Sequence, residues 1–243
     1  MINIHKLYVL SKDMINDDRV ILLKQNILWQ AKCFLDNADE FYPFGTAVDH
    51  VGKMHTVAMH ADSEFPNAGE LSFELDQQIK KAIVQKRYTT AAMGVNVDIV
   101  KELKQGEAIR QSAIRVSFYV GESVFDKYFL YKKGENGYFF ESYDFDEGST
   151  SWELPDSDNA DFTAFTLKQI VDGTKPVLYV VHDREGNWQF LANDKVSIND
   201  LMIIRLKELI KSDPSLKDIL WLPEGTEAIR ERLGDDWSAR IFS

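Results

Sequence analysis

The stretch Val177–Ala192, VLYVVHDREGNWQFLA, constrains the chain most. Val177 to Val181 is a run of apolar, β-branched and aromatic residues. Asp183 to Asn187 is polar and carries the stretch's one glycine. Trp188, Phe190 and Ala192 then alternate with Gln189 and Leu191. Side chains of a strand point alternately to its two faces, so this pattern predicts two short strands joined by a turn, with Trp188 and Phe190 in a core. The residues that follow are expected to cover that hairpin. Ser197 can cap a helix over Ile198–Lys211, whose apolar arc (Leu201, Met202, Ile203, Leu206, Leu209 and Ile210) is broad. Asp213-Pro214 ends it, because proline has no N–H for the helical ladder. Ser215–Leu220 reads as a further helical turn. Gly225 needs its backbone freedom or precedes a helix start, and Thr226–Leu233 reads as the last helix.

The first half has a different rhythm. Ile2–Leu10 reads as a short strand or docking arm. Asp17 can cap a helix in which Val20, Leu23, Ile27, Ala31 and Phe34 share one face, while Leu22, Trp29 and Cys33 share nearly the opposite one. Two apolar stripes predict a helix covered on both sides, or one that meets a partner. Cys33 reads as a buried, inert thiol. Phe41-Tyr-Pro-Phe-Gly45 leads into a hairpin, Thr46–Asp49 with Met54–Met59, turning at Val51-Gly52. Leu71, Leu75, Ile79, Ala82 and Ile83 mark a second amphipathic helix. Tyr88–Val100 leans toward β structure, and Lys101–Gln111 reads as a polar connection. In Ile114–Val120 the apolar positions alternate with Arg115, Ser117 and Tyr119, a half-buried strand. Phe125–Tyr131 and Tyr138–Tyr143 follow, joined at Gly134-Glu-Asn-Gly137. The expected fold class is therefore α+β: helices on a mostly antiparallel sheet (helix, two strands, helix, three strands), followed by a smaller hairpin-plus-helices unit. Asp144–Asp161 is acidic and lacks apolar period, which suggests domains at 1–145 and 162–243 with an acidic linker at 146–161.

Charge narrows the partners. With 39 acidic against 28 basic residues in 243, the net charge is −11. Such a surface repels phosphate backbones, so nucleic acid is not expected. It suits solubility or steering toward a basic protein partner. One cysteine allows no intrachain disulfide and points to a reducing cytoplasm. Met1–Leu10 lacks the apolar core of a signal peptide, and no run is long enough to span a membrane.

Chemistry-bearing patterns are sparse. His50, His55 and His60 are evenly spaced, yet odd offsets along a strand point to opposite faces, so no metal site is expected there. His182 beside Asp183 has the residue types of an oriented base. No G-x-S-x-G nucleophile turn accompanies it, and neither GxGxxG nor a P-loop occurs, so no cofactor is expected. Asp144, Asp146 and Glu147 begin like a calcium loop, but Ser149 and Pro155 stand where it needs glycine and an acid. Trp188 and Trp221 sit within apolar patterns and read as core. Trp237, beside Asp235 and Asp236, reads as an anchor for a partner.

Asp183-x-x-Gly186-x-Trp188-x-Phe190-Leu191, then Asp213-Pro-Ser-Leu216, then Leu222-Pro-x-Gly225-x-x-Ala228-x-Arg230 together resemble a module of uncharacterised bacterial proteins. Glu40-Phe-Tyr-Pro-Phe-Gly45 is similar to the opening of an uncharacterised bacterial domain. In style both are similar to the small acidic immunity proteins found beside bacterial toxins, which implies a role but assigns no residue to it. Three readings stand. The first is an interaction protein of immunity or accessory type that binds a more basic protein, with Leu22, Trp29 and Trp237 as contact candidates. The second is an enzyme whose groups, His182, Asp183 and Arg230, meet only in the fold. The third is a homodimer through Leu22 and Trp29.

Overall fold

The computed structural model describes residues 17–59, 67–102, 108–134, 137–144, 148–151, 162–193 and 197–242. Ile2–Leu10 and His60 lie outside them. The chain divides into two compact units, Met1–Val51 with His55–Leu154, and Gly52–Met54 with Pro155–Ser243. The fold is α+β, with two sheets.

In the first unit α1 is Asp18–Ala38, and the Asp17 carboxylate accepts the Arg19 N–H at 2.8 Å to cap it. Strands β1 (Phe44–Val48) and β2 (Met54–Val57) follow, then α2 (Ala68–Val84), whose cap is Asn67. Next come β3 (Thr90–Glu102), β4 (Ala108–Val120), β5 (Ser123–Gly134), β6 (Gly137–Asp144) and β7 (Gly148–Ser151). The sheet order is β2-β1-β3-β4-β5-β6-β7. The two helices take opposite faces. A Cβ on Gly94 would come within 2.8 Å of Ile27 on α1, so only glycine lets helix and strand approach this closely. On the other face Leu75 and Ile79 of α2 pack with Ala47, Ala91, Met93 and Tyr119. Phe34, Phe41 and Phe44 close the exit of α1, with ring centroids 5.2–6.3 Å apart.

Two expectations change here. In the polar connection expected over Lys101–Gln111, residues 101–102 and 108–111 are strand: β3 and β4 pair over thirteen rungs, from Thr90↔Val120 to Glu102↔Ala108. Gly148–Ser151, read as linker, pairs with β6 from Asp144↔Gly148 to Glu141↔Ser151. A ladder is made by backbone groups, so an edge strand forms without an apolar period. Residues 152–161 of that linker lie outside the described residues.

The second unit holds β8 (Thr163–Leu167), a single helical turn α3 (Lys168–Val171), β9 (Tyr179–His182) and β10 (Trp188–Leu191). A short 3-10 turn, Ile198–Asp200, leads to β11 (Leu201–Arg205), and α4 (Leu206–Ser212) follows. A 3-10 stretch, Pro214–Ile219, then β12 (Thr226–Ile229) and β13 (Ser238–Ile241) complete it. The order is β11-β8-β10-β9-β12-β13, antiparallel except where β8 meets β10. The hairpin stands as the sequence indicates, with Trp188↔His182 and Leu191↔Tyr179. Asp213-Pro214 separates the two helical pieces, and Gly225 takes φ 76°. Of the helix expected over Ile198–Lys211, the C-terminal part stands as Leu206–Ser212, while Ile198–Asp200 is a 3-10 turn and Leu201–Arg205 is strand; of the helix expected over Thr226–Leu233, Thr226–Ile229 is strand. Isoleucines at 203 and 204 suit a strand, and β8 offers its unpaired edge to Leu201–Arg205. Thr226–Ile229 fills the place between β9 and β13.

Candidate functional site

His182, Asp183 and Arg230 do not converge. His182 ends β9, and its ring stacks on Trp188 with centroids 4.1 Å apart and planes 16° from parallel. Its Nδ1–H donates to the Leu222 carbonyl at 2.8 Å, since a carbonyl only accepts. Burial holds its pKa below the ordinary value, against weaker opposing effects of that bond and of Glu224 and Asp183. Asp183 shapes the turn, accepting the N–H groups of Glu185 at 3.1 Å and Asn187 at 2.8 Å. Its desolvation is outweighed by such bonds, so its carboxyl sits below the usual range.

Arg230 lies beyond the opposite end of β9, where its N–H donates to the Leu178 carbonyl at 3.0 Å. The side chain is fully buried. Nε and Nη2 both donate to the Val177 carbonyl at 2.9 and 2.8 Å, Nη1 to Ser215 Oγ at 2.8 Å, and Nη2 also pairs with Asp213. All three groups of the enzyme reading are thus engaged in holding the fold.

The contact candidates divide. Leu22 has no exposed surface, so it belongs to the core and offers nothing to a partner. Trp29 and Cys33 are both half-buried, so Cys33 is not the buried thiol expected. Trp237 is also half-buried, with the Arg230 guanidinium 4.3 Å above its ring, so one face of the proposed anchor is taken by its own unit. Among the described residues, no group of three or more His, Cys, Asp and Glu side chains is placed to hold a metal ion. His55 lies 2.8 Å from Asp49 through Nε2.

Sequence reading missed a buried carboxylate. Glu227 on β12 accepts the Tyr179 hydroxyl and the Arg240 guanidinium, stitching β9, β12 and β13 on one face. Burial, then Glu227, pushes the Tyr179 phenol up to about 12. Nothing in the sequence signalled this cluster, because Glu227 reads there as a solvated helix residue.

Sequence reading also missed an exposed apolar edge. Among the described residues β11 ends its sheet and pairs only with β8. Ile203 faces Phe165 across that ladder, and the two are 66% and 38% exposed; Leu201 on the same face is 39% exposed. Folded proteins ordinarily guard an edge strand with charge, proline or a bulge, because its free N–H and C=O groups accept another strand. β11 turns leucine and isoleucine outward, with the exposed Arg205 next along the same face, beside a cleft of about 360 Å³ lined by Phe162, Phe165, Asn187 and Ile203 among others. No protein-family model matches the chain, and neither does any curated protein or solved structure in the searches. Among the described residues no helix is long and apolar enough to cross a membrane.

Proposed function

We propose that the chain is a protein-interaction protein whose β11 edge takes up an extended segment of a more basic protein. One observation carries the reading: an open edge strand with Leu201 and Ile203 turned to solvent beside Phe165. Strand addition supplies affinity through backbone bonds and selectivity through alternate side chains, which is what this edge has to offer. The net charge of −11 favours a basic partner by speeding encounter. The resemblance of the Asp183–Arg230 motifs to bacterial modules, and their likeness in style to immunity proteins, supports an immunity or accessory role in a bacterial cytoplasm.

The test is affinity capture with the full chain and with Ile203→Lys. The charge should repel a docking strand while leaving the fold intact. The reading expects one basic protein held by the wild type and lost by the variant, with an association rate that falls steeply with salt and a dissociation rate that does not. Concentration-dependent self-association abolished by the same substitution would instead make a second copy the occupant. Capture indifferent to Ile203→Lys would refute the edge.

A further inference from the structure

We propose that the first unit binds a free α-amino acid with an apolar side chain, in a cleft beside the start of α2. The cleft is about 360 Å³, within the roughly 300–1,000 Å³ of ligand pockets. Its floor is one face of β4, where Arg115, Ser117 and Tyr119 stand at alternate positions. Phe73 on α2 and Val124 on β5 flank it, 66% and 48% exposed. They offer an apolar wall with no neighbour of its own to cover it.

The polar groups are unevenly satisfied. Tyr119 donates to Asp76 Oδ1 at 2.9 Å, while Lys80 and Gln77 donate to Oδ2 at 2.8 and 3.0 Å. Asp76 is therefore saturated and its charge answered. Burial, then Asp76, pushes the Tyr119 phenol far up, so it stays a donor. Ser117 donates to Asp126 Oδ1 at 2.6 Å, the only hydrogen bond Asp126 makes among the described residues, and Asp126 is otherwise exposed. The Arg115 side chain makes no hydrogen bond or ion pair among the described residues, and its Nε is sealed from solvent with no acceptor. Arg115 lines the cleft, so a carboxylate there can pair with its guanidinium without displacing a partner of its own.

Arg115 faces Tyr128 and Ser117 faces Asp126, so Arg115 and Asp126 are diagonal neighbours on the β4–β5 ladder, roughly 7–8 Å apart at Cα. A cation and an anion stand close together without pairing. An amino acid matches both: its carboxylate meets Arg115, its ammonium meets Asp126, and its side chain lies along Phe73 and Val124. A phosphate would meet Arg115 but be repelled by Asp126, which the ammonium of an amino acid would instead meet. The proposal is independent of the β11 edge.

The test is calorimetric titration of the full chain with L-phenylalanine, 2-phenylethylamine and 3-phenylpropanoate. The last two each lack one charge. Saturable binding of L-phenylalanine is expected, with each analogue weaker by about tenfold or more, the scale of one charge-assisted bond. Asp126→Asn, a surface change that should not alter melting, and Arg115→Gln should each weaken binding to a similar degree. Absence of binding by the L-amino acids up to about 10 mM, or equal binding of an analogue lacking one charge, would overturn the site. Loss of binding on Ile203→Lys would overturn it as well, since that residue belongs to the other unit.

Discussion

In the first unit β4 to β7 each pair with the strand before them in the chain and β3 pairs with β1; in the second, three of the pairings join strands distant in sequence. The first sheet has strands of up to thirteen residues and a helix on each face. The second is built of four- and five-residue strands tied by buried polar clamps at Arg230 and Glu227. Local pairing is fast to form and needs few special residues, whereas distant pairing rests on groups that fix which strands meet. The difference teaches where each unit is vulnerable, and that among the described residues the second has an open edge with Leu201 and Ile203 turned outward.

The largest expected effect breaks the second unit at its clamp. Arg230→Ala leaves Asp213 without its partner and should cost about 3–5 kcal/mol in denaturant melts. Three of the five tryptophans, Trp188, Trp221 and Trp237, lie in this unit, so fluorescence follows its unfolding. Trp188→Ala should also cost about 3–5 kcal/mol, since the ring is buried between His182, Phe162 and Phe190; a loss under about 1 kcal/mol would refute that packing. In the first unit Gly94→Ala drives a methyl against Ile27 and should cost about 1–3 kcal/mol by overpacking. If it proves neutral, α1 does not rest on β3 as described.

Smaller is the pH response of His182. Burial lowers its folded pKa below the ordinary 6.5. Below pH 6.5 the unfolded chain therefore takes a proton that the folded chain resists, and stability falls as pH drops through that value toward the folded one. Melts at pH 7.5 and 5.5 should show the second unit weakened at the lower pH, and His182→Gln should flatten the difference. Smallest is Ile203→Lys, which should leave stability within about 0.5 kcal/mol because the side chain faces solvent.

Legibility followed the same divide. Ile114–Val120 and Tyr138–Tyr143 were readable because their alternation and the turn between neighbours are local signals. Val177–Ala192 was readable for the same reason, and Trp188 is core as its pattern said. Leu201–Arg205 was not. Its apolar residues fit a helical arc equally well, and the choice is made by the free edge of β8, thirty-odd residues earlier. Thr226-Glu-Ala-Ile carries helix-forming residues, yet its Glu227 is fixed by Tyr179 and Arg240, far apart in sequence. Within the candidate site, the apolar character of Ile203 was visible in the sequence but its exposure was not, because exposure depends on which strands remain unpaired. Leu22 is buried, in keeping with a helix covered on both sides and not with one that meets a partner through that residue.

The central claim is that the β11 edge is where a partner strand docks, and amide hydrogen exchange on Leu201–Arg205 in the captured complex tests it most directly. The account predicts that the outward-facing alternate amides of β11 exchange quickly in the free chain and become protected when the partner is bound, with Ile203→Lys removing both the complex and the protection. A complex that forms while these amides exchange as fast as in the free chain would contradict it.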